Sequence, residues 1–299
     1  MARGRVMWKY RKQILFGIYE VFLQRVLWMF PPKLAHSIIY WYHHNDEKII
    51  NWKKPELYDE KIHWIIAKRL GPKHAIYADK FLVRGYVEES GFKELLVPLL
   101  GKWDCVEDIN FDELVYPCIF KTNNGSGPLC YCKMYKNTKK ERDRVISMMK
   151  VALKKKIYRI GCEYHYKYIK PAIICEKLLG ETDEVLTDYK LVCSRGEVGA
   201  VLVCQNRNKG RDYYTLDWKH TNYTREEKQS GFIIPRPQGL DIMIRAAEEL
   251  SKSFELARID FYDIDGEVYF GEITLTPSGG NHKYLSEEGK RALGAFVKL

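Results

Sequence analysis

Near the C-terminus of this 299-residue chain, two segments of alternating apolar and polar residues flank the pair Asp265-Gly266. An Asp-Gly pair between such segments is a strong signal for a tight turn between paired strands. The sequence therefore predicts a β-hairpin over residues 257–276. Because side chains alternate between the two faces of a strand, the length of the turn decides which acids of the hairpin share a face.

The turn length determines whether Asp260 and Glu272 can act together. A two-residue loop would place Asp260 opposite Gly271 and leave Glu272 on the other face. A three-residue loop over 264–266 would pair Asp260 with Phe270 and make Glu272 its diagonal neighbour on the same face. We predict the three-residue loop, because a two-residue loop without a bulge would separate the two acids.

A shared face would allow the hairpin to bind a metal ion. Asp260, Glu272 and Thr274 would suit Mg²⁺, which takes oxygen ligands and often bridges substrate phosphates. Asp263 and Asp265 add a superficial likeness to a calcium loop, but the EF-hand spacing and its distal glutamate are missing. Taken alone, the same acids fit the outward face of an ordinary hairpin at least as well.

Two upstream segments could bind a nucleotide whose phosphates contact this metal ion. Residues 120–127 (F-K-T-N-N-G-S-G) place Lys121 at the end of a strand, before a loop whose backbone N–H groups could surround phosphate oxygens. The segment is neither a P-loop nor a dinucleotide-binding fingerprint, and a plain turn is the alternative. Residues 173–180 end an apolar strand at Glu176, whose carboxylate could accept the adenine amino group. A surface Glu-Lys pair is the alternative there.

Apolar spacing and turn signals predict a mixture of helices and hairpins, which favours an α+β fold. Thr138 and Glu141 form a capping box at the start of one helix. We divide the chain into a basic helical N-terminal region at 1–75 and a mixed α+β domain at 76–299. The predicted helices are 13–30, 57–69, 139–155, 239–254 and 285–297. The other predicted strands are 115–122, 129–134, 172–175 and two within 189–206, around a turn at Arg195-Gly196.

Positive charge is concentrated in the first quarter of the chain. The formal net charge is +10, and residues 1–75 contain 14 Lys+Arg but 6 Asp+Glu. Such a surface favours nucleic acid, anionic lipid or an acidic polysaccharide, or it is simply a solvated face. No nucleic-acid-binding motif accompanies the charge, so we expect no nucleic acid partner.

The cysteines and the N-terminus indicate where the protein works. The eight cysteines include no CxxC pair, which is typical of reduced thiols in the cytoplasm. The apolar run at 14–19 is too short for a transmembrane helix and is followed by no cleavage site. The amphipathic segment 13–30 suits either a membrane interface or packing against the main body. We therefore expect a cytoplasmic protein, with peripheral contact at the inner membrane face through residues 1–30.

Taken in order, these segments resemble an ATP-grasp protein of the teichuronopeptide-biosynthesis type. The resemblance extends from about residue 50 to residue 282. It is carried by 55–64 (P-E-L-Y-D-E-K-I-H-W), Ala78-Asp79-Lys80 with Arg84, 96–103 (L-V-P-L-L-G-K-W), 121–127, Asp188-Tyr189-Lys190 and 271–280 (G-E-I-T-L-T-P-S-G-G).

The resemblance implies an ATP-grasp fold, in which two α+β lobes enclose ATP and Mg²⁺. It also implies a role for each residue of the nucleotide site. Lys80, Lys121 and Lys190 would face the phosphates, and Gly125, Ser126 and Gly127 would form the mobile loop over them. Adenine would be framed by Glu176, Lys177 and Leu179, and Asp188 would lie near the ribose. Mg²⁺ would be held by Asp260, Glu272 and Thr274, and Arg258 would stabilise charge on the transferred phosphoryl group.

Two positions depart from the wider pattern. Thr274 stands where most ATP-grasp ligases have asparagine, which changes the third metal ligand, although the narrower family prefers threonine there. Asn124 stands where the family pattern has histidine. This second departure counts against an acid–base role for the loop.

The function implied by the resemblance is ATP-dependent ligation. A carboxylate would attack the γ-phosphate of ATP to give an acylphosphate, from which an amine would displace phosphate. The named family suggests that an amino acid is added to a uronic acid of an acidic surface polysaccharide such as a capsule. The loop 276–282 could contact the acceptor. Two alternatives stay open, a kinase that phosphorylates a sugar hydroxyl and a non-catalytic protein that binds polyanions or membranes.

Overall fold

Two antiparallel sheets form the framework of the computed structural model, which describes residues 24–44, 49–125, 127, 130–180, 186–205 and 210–299. The strands are β1 (Leu99–Trp103), β2 (Cys118–Thr122), β3 (Tyr131–Met134), β4 (Ile173–Lys177), β5 (Asp188–Ser194), β6 (Glu197–Gln205), β7 (Gly210–Tyr214), β8 (Ala257–Ile264) and β9 (Glu267–Thr274). One sheet has the order β1-β4-β2-β3 and the other the order β7-β6-β5-β8-β9. The predicted α+β fold class is confirmed.

Helices cover both sheets. The main ones are α1 (Pro32–His43), α2 (Tyr58–Lys68), α3 (Ala75–Ala78), α4 (Val83–Glu89), α5 (Lys139–Leu153), α6 (Leu240–Ser251) and α7 (Glu287–Phe296). Within the described part of the chain, no helix combines the length and the apolar character needed to cross a membrane.

The four-stranded sheet is buried on one face by α5. Thr138 caps this helix by accepting a hydrogen bond from the backbone N–H of Glu141 at 3.3 Å, as the capping-box pattern predicted. Val145 of the helix packs in the same buried cluster as Phe120 of β2. Because side chains alternate along β2, Lys121 lies on the opposite face, which is directed toward the second sheet.

The five-stranded sheet is covered differently on its two faces. Helix α6 packs on the face that contains Leu191 and Ile259. Helices α2 and α7 pack on the other face, against Val192. Lys190 shares the face of Val192, and Asp260 is its direct partner on β8. The part of this face that the helices leave open is directed toward Lys121 and its sheet.

The turn of the C-terminal hairpin differs from the predicted one. Ile264 pairs with Glu267, so the loop contains only Asp265-Gly266. Both loop residues have positive φ angles, 52° and 90°, which is typical of the two-residue turn that an Asp-Gly pair favours. The predicted three-residue loop is therefore wrong.

A β-bulge nevertheless brings the two acids onto one face. Phe261 pairs with Phe270, but Asp260 pairs with Glu272, so Gly271 is an extra residue in β9. The site requires a small residue, because an added Cβ at Gly271 would lie 3.0 Å from the carbonyl oxygen of Asp260. The bulge thus restores the shared face that a regular two-residue hairpin would lose.

Most of the other predicted elements are confirmed, with ends that differ by a few residues. The predicted helices at 57–69, 139–155, 239–254 and 285–297 correspond to α2, α5, α6 and α7. The two strands around Arg195-Gly196 are β5 and β6. The strand predicted at 115–122 begins only at Cys118, directly after Pro117, which has no N–H to contribute to a sheet. Leu129 lies outside the described residues.

The N-terminal prediction is tested only in part. Residues 13–23 of the predicted helix lie outside the described residues, and Gln24–Val26 is helical. Helix α1, which was not predicted, begins at Pro32, a position that suits proline. The boundary between regions 1–75 and 76–299 stays a prediction, and α2, which precedes it, packs in one cluster with α7.

Gly294 allows α7 to lie against the backbone that leads into α2. A Cβ at this position would lie 2.2 Å from the carbonyl oxygen of Glu56 and 2.9 Å from the backbone nitrogen of Tyr58. Gly294→Ala should therefore lower the free energy of unfolding by about 1–3 kcal/mol, measured by urea denaturation. Gly85→Ala in α4 is the matched control, because no atom lies within 4 Å of its added Cβ. Equal destabilisation by both changes would contradict this packing.

Candidate active site

A cavity of about 330 Å³ lies between the two sheets. Strands β2, β3 and β4 line one side, and β5, β8 and β9 line the other. The predicted residues that line it are Lys80, Lys121, Gly125, Gly127, Glu176, Lys177, Leu179, Asp188, Lys190, Asp260 and Glu272. Arg258 and Thr274 contact the last two of these, and Ser126 lies outside the described residues.

The acidic pair is held in place by Arg258. Its Nε and one terminal nitrogen each donate to a different oxygen of Asp260, both at 2.7 Å. The same side chain donates to the hydroxyl of Thr274 at 3.2 Å, and that hydroxyl donates to Glu272 at 3.0 Å. A two-pronged guanidinium–carboxylate contact fixes both orientation and charge. The bulged hairpin therefore presents its two carboxylates in one defined arrangement.

Two lysines complete the charge balance around the acids. Lys80 donates to Glu272 at 2.8 Å, and Lys190 donates to Asp260 at 2.6 Å. Burial alone would raise the pKa of Glu272, but Lys80, Arg258 and Lys190 lower it well below its ordinary value. Burial likewise lowers the pKa of Lys80, and Glu272 outweighs it, so the net shift is upward. Both partners of the Lys80–Glu272 pair are therefore charged.

Lys80 also connects the acidic pair to the predicted phosphate loop. Its backbone N–H donates to the carbonyl oxygen of Asn123 at 2.9 Å. The side-chain amide of Asn123 donates to Asp79 at 2.8 Å and to the carbonyl oxygen of Lys170 at 3.0 Å. The Ala78-Asp79-Lys80 motif is thus fixed to the end of β2, where Lys121 lies.

The donor set fits Mg²⁺. Asp260, Glu272 and Thr274 supply the hard oxygen atoms that this ion prefers. No cluster of three or more His, Cys, Asp or Glu suited to a metal occurs among the described residues. A protein shell with two carboxylates is nevertheless typical of Mg²⁺ that is bound together with substrate phosphates, which supply the remaining ligands.

The opposite end of the cavity is organised around Glu176. This buried carboxylate accepts from Lys121 at 2.8 Å and from Arg84 at 3.0 Å. Arg84 also donates to the carbonyl oxygen of Val97 at 2.8 Å, which ties the segment before β1 to β4. The backbone N–H of Lys177 is bound in the same region, by the carbonyl oxygen of Pro98.

Arg84 was not among the predicted site residues. Its contact with Glu176 joins residues far apart in the sequence, so no local pattern indicates it. The apolar walls of the cavity were also missed, since strand alternation alone does not show which apolar residues border a cavity. These walls include Val97, Ile119, Leu178, Leu186, Tyr262 and Phe270.

The loop after β9 is fixed by two acids from other parts of the chain. Residues 278–280 all have positive φ angles, so the loop turns tightly. Thr276 donates to Glu163, and Asp59 lies 2.5 Å from Nδ1 of His282. Burial raises the pKa of Asp59, but His282 and His44 lower it by more, so the pKa lies below its ordinary value. The predicted acceptor loop is therefore a defined structure beside Thr274.

Comparisons with known proteins identify a family that matches most of the chain. A family model described as TupA-like ATPgrasp matches residues 60–298. Similar solved structures include D-alanine–D-alanine ligase from Bacillus anthracis, with 16% identity over 74% of this chain and 66% of that chain and a TM-score of 0.46. The ADP complex of the N5-carboxyaminoimidazole ribonucleotide synthetase purK has 14% identity over 68% of this chain and 46% of that chain and a TM-score of 0.45.

A third similar structure is the ATP-grasp ligase PsnB with a variant of its minimal precursor, Mg and ADP, with 14% identity over 80% of this chain and 66% of that chain and a TM-score of 0.41. The chain therefore spans less than two thirds of each of these proteins, between 46% and 66% of their lengths. No curated protein sequence gives a significant match. The family match is what assigns the chain.

Glu272 should make the stability of the fold depend on pH. Its pKa is depressed in the folded chain, so the carboxylate stabilises the fold above its ordinary pKa of 4.5, and this contribution is lost as the pH falls. The decrease in the free energy of unfolding between about pH 7 and pH 3 should be smaller in Glu272→Gln by about 1 kcal/mol or more. Urea denaturation at each pH measures it. Glu267→Gln, an exposed acid of β9, is the control, and equal decreases in Glu272→Gln and wild type would contradict the ion pairs.

Proposed function

The chain belongs to the TupA-like ATP-grasp family, and from this membership we propose that it activates a carboxylate with Mg-ATP and joins it to an amine. The ATP-grasp family consists of ATP-dependent carboxylate–amine ligases. The observation that carries the proposal is the pairing of Asp260 with Glu272 on the cavity face opposite Lys121. This arrangement offers metal ligands and a phosphate-binding cation in one cleft between the two sheets.

The proposed reaction has two balanced steps. A carboxylate oxygen of the acceptor attacks the γ-phosphorus of ATP, the bond to the β–γ bridging oxygen breaks, and ADP leaves with that oxygen. The nitrogen of a neutral amine then attacks the carbonyl carbon of the acylphosphate. The carbon–oxygen bond to phosphate breaks, inorganic phosphate leaves, and the nitrogen loses one proton to the departing phosphate as the amide forms. The protein contributes mainly positioning and charge neutralisation to such steps.

The cations of the cavity have partners that ATP could replace. Lys121 and Lys80 are paired with Glu176 and Glu272, and phosphate oxygens would offer both ammonium groups an equivalent anionic partner. Mg²⁺, held by Asp260 and Glu272 with Thr274 beside them, would neutralise charge on the phosphates. Glu176, released from Lys121, would keep Arg84 as a positive neighbour, and Glu272, released from Lys80, would keep Arg258.

The remaining assigned residues fit positions around the nucleotide. Lys190 and Arg258 face the acidic pair and would stabilise charge that develops on the transferred phosphoryl group. Gly125, Ser126 and Gly127 would cover the phosphates. Glu176, Lys177 and Leu179 would frame adenine, and Asp188, at the start of β5, would lie near the ribose.

We place the acceptor among acidic surface polysaccharides, with an amino acid as the amine donor. A uronic acid carries the carboxylate that the chemistry needs, and the basic first quarter of the chain would attract such a polymer. The loop at 276–282 adjoins Thr274 and would contact the acceptor. The same proposal places the protein in the cytoplasm, with residues 1–30 touching the inner face of the membrane.

Lys121→Ala and Glu272→Gln should each reduce Mg-ATP consumption by about 10²-fold or more, because each removes a charge that the bound triphosphate or its metal needs. Turnover is measured as ADP formed in the presence of oligomers of glucuronic acid and mixed amino acids. Lys219→Ala, a surface lysine with 79% side-chain exposure, is the control and should retain wild-type turnover. Retained turnover in Glu272→Gln, with a native unfolding curve, would contradict the assigned site.

Product analysis separates ligation from phosphorylation. Mass spectrometry of the glucuronic acid oligomers should show the mass of an added amino acid, and free phosphate should appear in equal amount. Phosphate retained on the glycan would instead identify a sugar kinase. The two outcomes share the same ATP site, so Lys121→Ala should remove either product.

A further inference from the structure

A second surface, outside the cavity, combines exposed apolar side chains with lysine and arginine. It is formed by residues 24–34 and 154–160, and we call these two segments the basic apolar patch. Large apolar side chains there are unusually exposed. They are Met29 at 61%, Phe30 at 39%, Leu34 at 47% and Ile160 at 62%. Contiguous exposed apolar groups of this kind mark surfaces that contact a partner.

Specific contacts join the two segments into one surface. The guanidinium of Arg159 lies 4.4 Å from the ring centre of Trp28, which also makes an edge-on contact with Tyr158 at 5.8 Å. The hydroxyl of Tyr164 donates to the carbonyl oxygen of Phe30 at 3.4 Å. Beneath these contacts, Leu27 is buried in a small cluster with α1. The patch is therefore part of the folded body.

The charge of the patch has one sign. Its two segments contain six Lys or Arg residues and no Asp or Glu. These cations lie in the same two segments as the apolar side chains, so a matching partner supplies both negative charge and apolar surface. The six are Arg25, Lys33, Lys154, Lys155, Lys156 and Arg159.

Charge also argues against coverage of the patch by the preceding part of this chain. Residues 1–23 contain one Glu and five Lys or Arg, and all five cations lie within residues 1–12. Residues 1–12 would bring like charges to the patch, and residues 13–23 would supply one negative charge for its six cations. A soluble polyanion would satisfy the cations but would leave the apolar side chains in water. An anionic lipid surface satisfies both, because headgroups attract the cations and the acyl boundary accepts apolar side chains.

We propose that the basic apolar patch docks onto a membrane surface that contains anionic lipids. Met29, Phe30, Leu34 and Ile160 enter the boundary between headgroups and acyl chains, and the surrounding cations contact the headgroups. Trp28 and Tyr158 suit this depth, since aromatic rings are enriched at membrane interfaces. The inference rests on the membrane contact proposed for residues 1–30 and extends it to a folded surface that includes 154–160.

Vesicle co-sedimentation of the full chain tests the apolar half of the patch. Wild type should bind vesicles of phosphatidylglycerol and phosphatidylcholine in equal amounts much more strongly than vesicles of phosphatidylcholine alone. The triple variant Met29→Ser, Phe30→Ser, Leu34→Ser should bind the mixed vesicles about tenfold more weakly, or worse. The matched control is Phe232→Ser with Ile233→Ser. These residues, at 58% and 87% exposure between β7 and α6, lie outside the patch and should leave binding unchanged.

The charged half has its own variant, Lys154→Glu with Lys156→Glu, both on exposed positions. It should also weaken binding to the mixed vesicles about tenfold or more, because each basic residue near an anionic surface contributes to attraction. Thermal unfolding curves like that of wild type would show that the fold is kept. The changed side chains are exposed, so the fold does not depend on them.

The outcomes distinguish this inference from the proposal it extends. If wild type does not bind the mixed vesicles, both membrane proposals fail. If wild type binds and neither patch variant is weaker, contact is through residues 1–23 alone, and the patch inference is overturned. If only the charge variant is weaker, and soluble polyglucuronate displaces wild type, the patch is a polyanion site and the lipid inference is overturned.

Discussion

The site depends on the contacts that Arg258 makes with both Asp260 and Glu272. Two carboxylates on paired strands repel each other and are expensive to bury unless cations neutralise them. The guanidinium binds both oxygens of Asp260 and lies 3.5 Å from Glu272, and Lys190 and Lys80 supply the remaining positive charge. The register shift at Gly271 is what makes this geometry possible, because it places the acids directly opposite each other.

The ion pairs around the cavity give a partner of opposite charge to Lys80, Lys121, Lys190, Glu176, Asp260 and Glu272. Such a set stabilises the fold without nucleotide, since an unpaired buried charge would cost several kcal/mol. The same set can exchange partners at small net cost when phosphates arrive. Lys121 and Lys80 would change from carboxylate to phosphate, and Asp260 and Glu272 would retain Arg258. Binding would thus replace one complete arrangement of charges with another.

Sequence patterns predicted the composition of the site better than its geometry. The Asp-Gly signal located the hairpin, but local turn preferences do not encode a bulge, so the turn length was wrong while the shared face of Asp260 and Glu272 was right. Strands β1 and β7 were missed because each has five residues and little alternation between buried and exposed positions. Arg84 was missed because its role comes from long-range contact with Glu176, which no local pattern reveals.

One short segment connects the two surfaces to which functions are assigned. Glu163 accepts a hydrogen bond from the hydroxyl of Thr276, at the start of the loop at 276–282, and the next residue, Tyr164, donates to the backbone of Phe30 in the basic apolar patch. The patch and the loop at 276–282 are therefore joined through two adjacent residues. If the patch lies on a membrane, the acceptor loop lies one segment away from it. This arrangement suits an acidic acceptor that is itself held at the membrane surface, because both would be confined to the same layer and their effective concentration would rise.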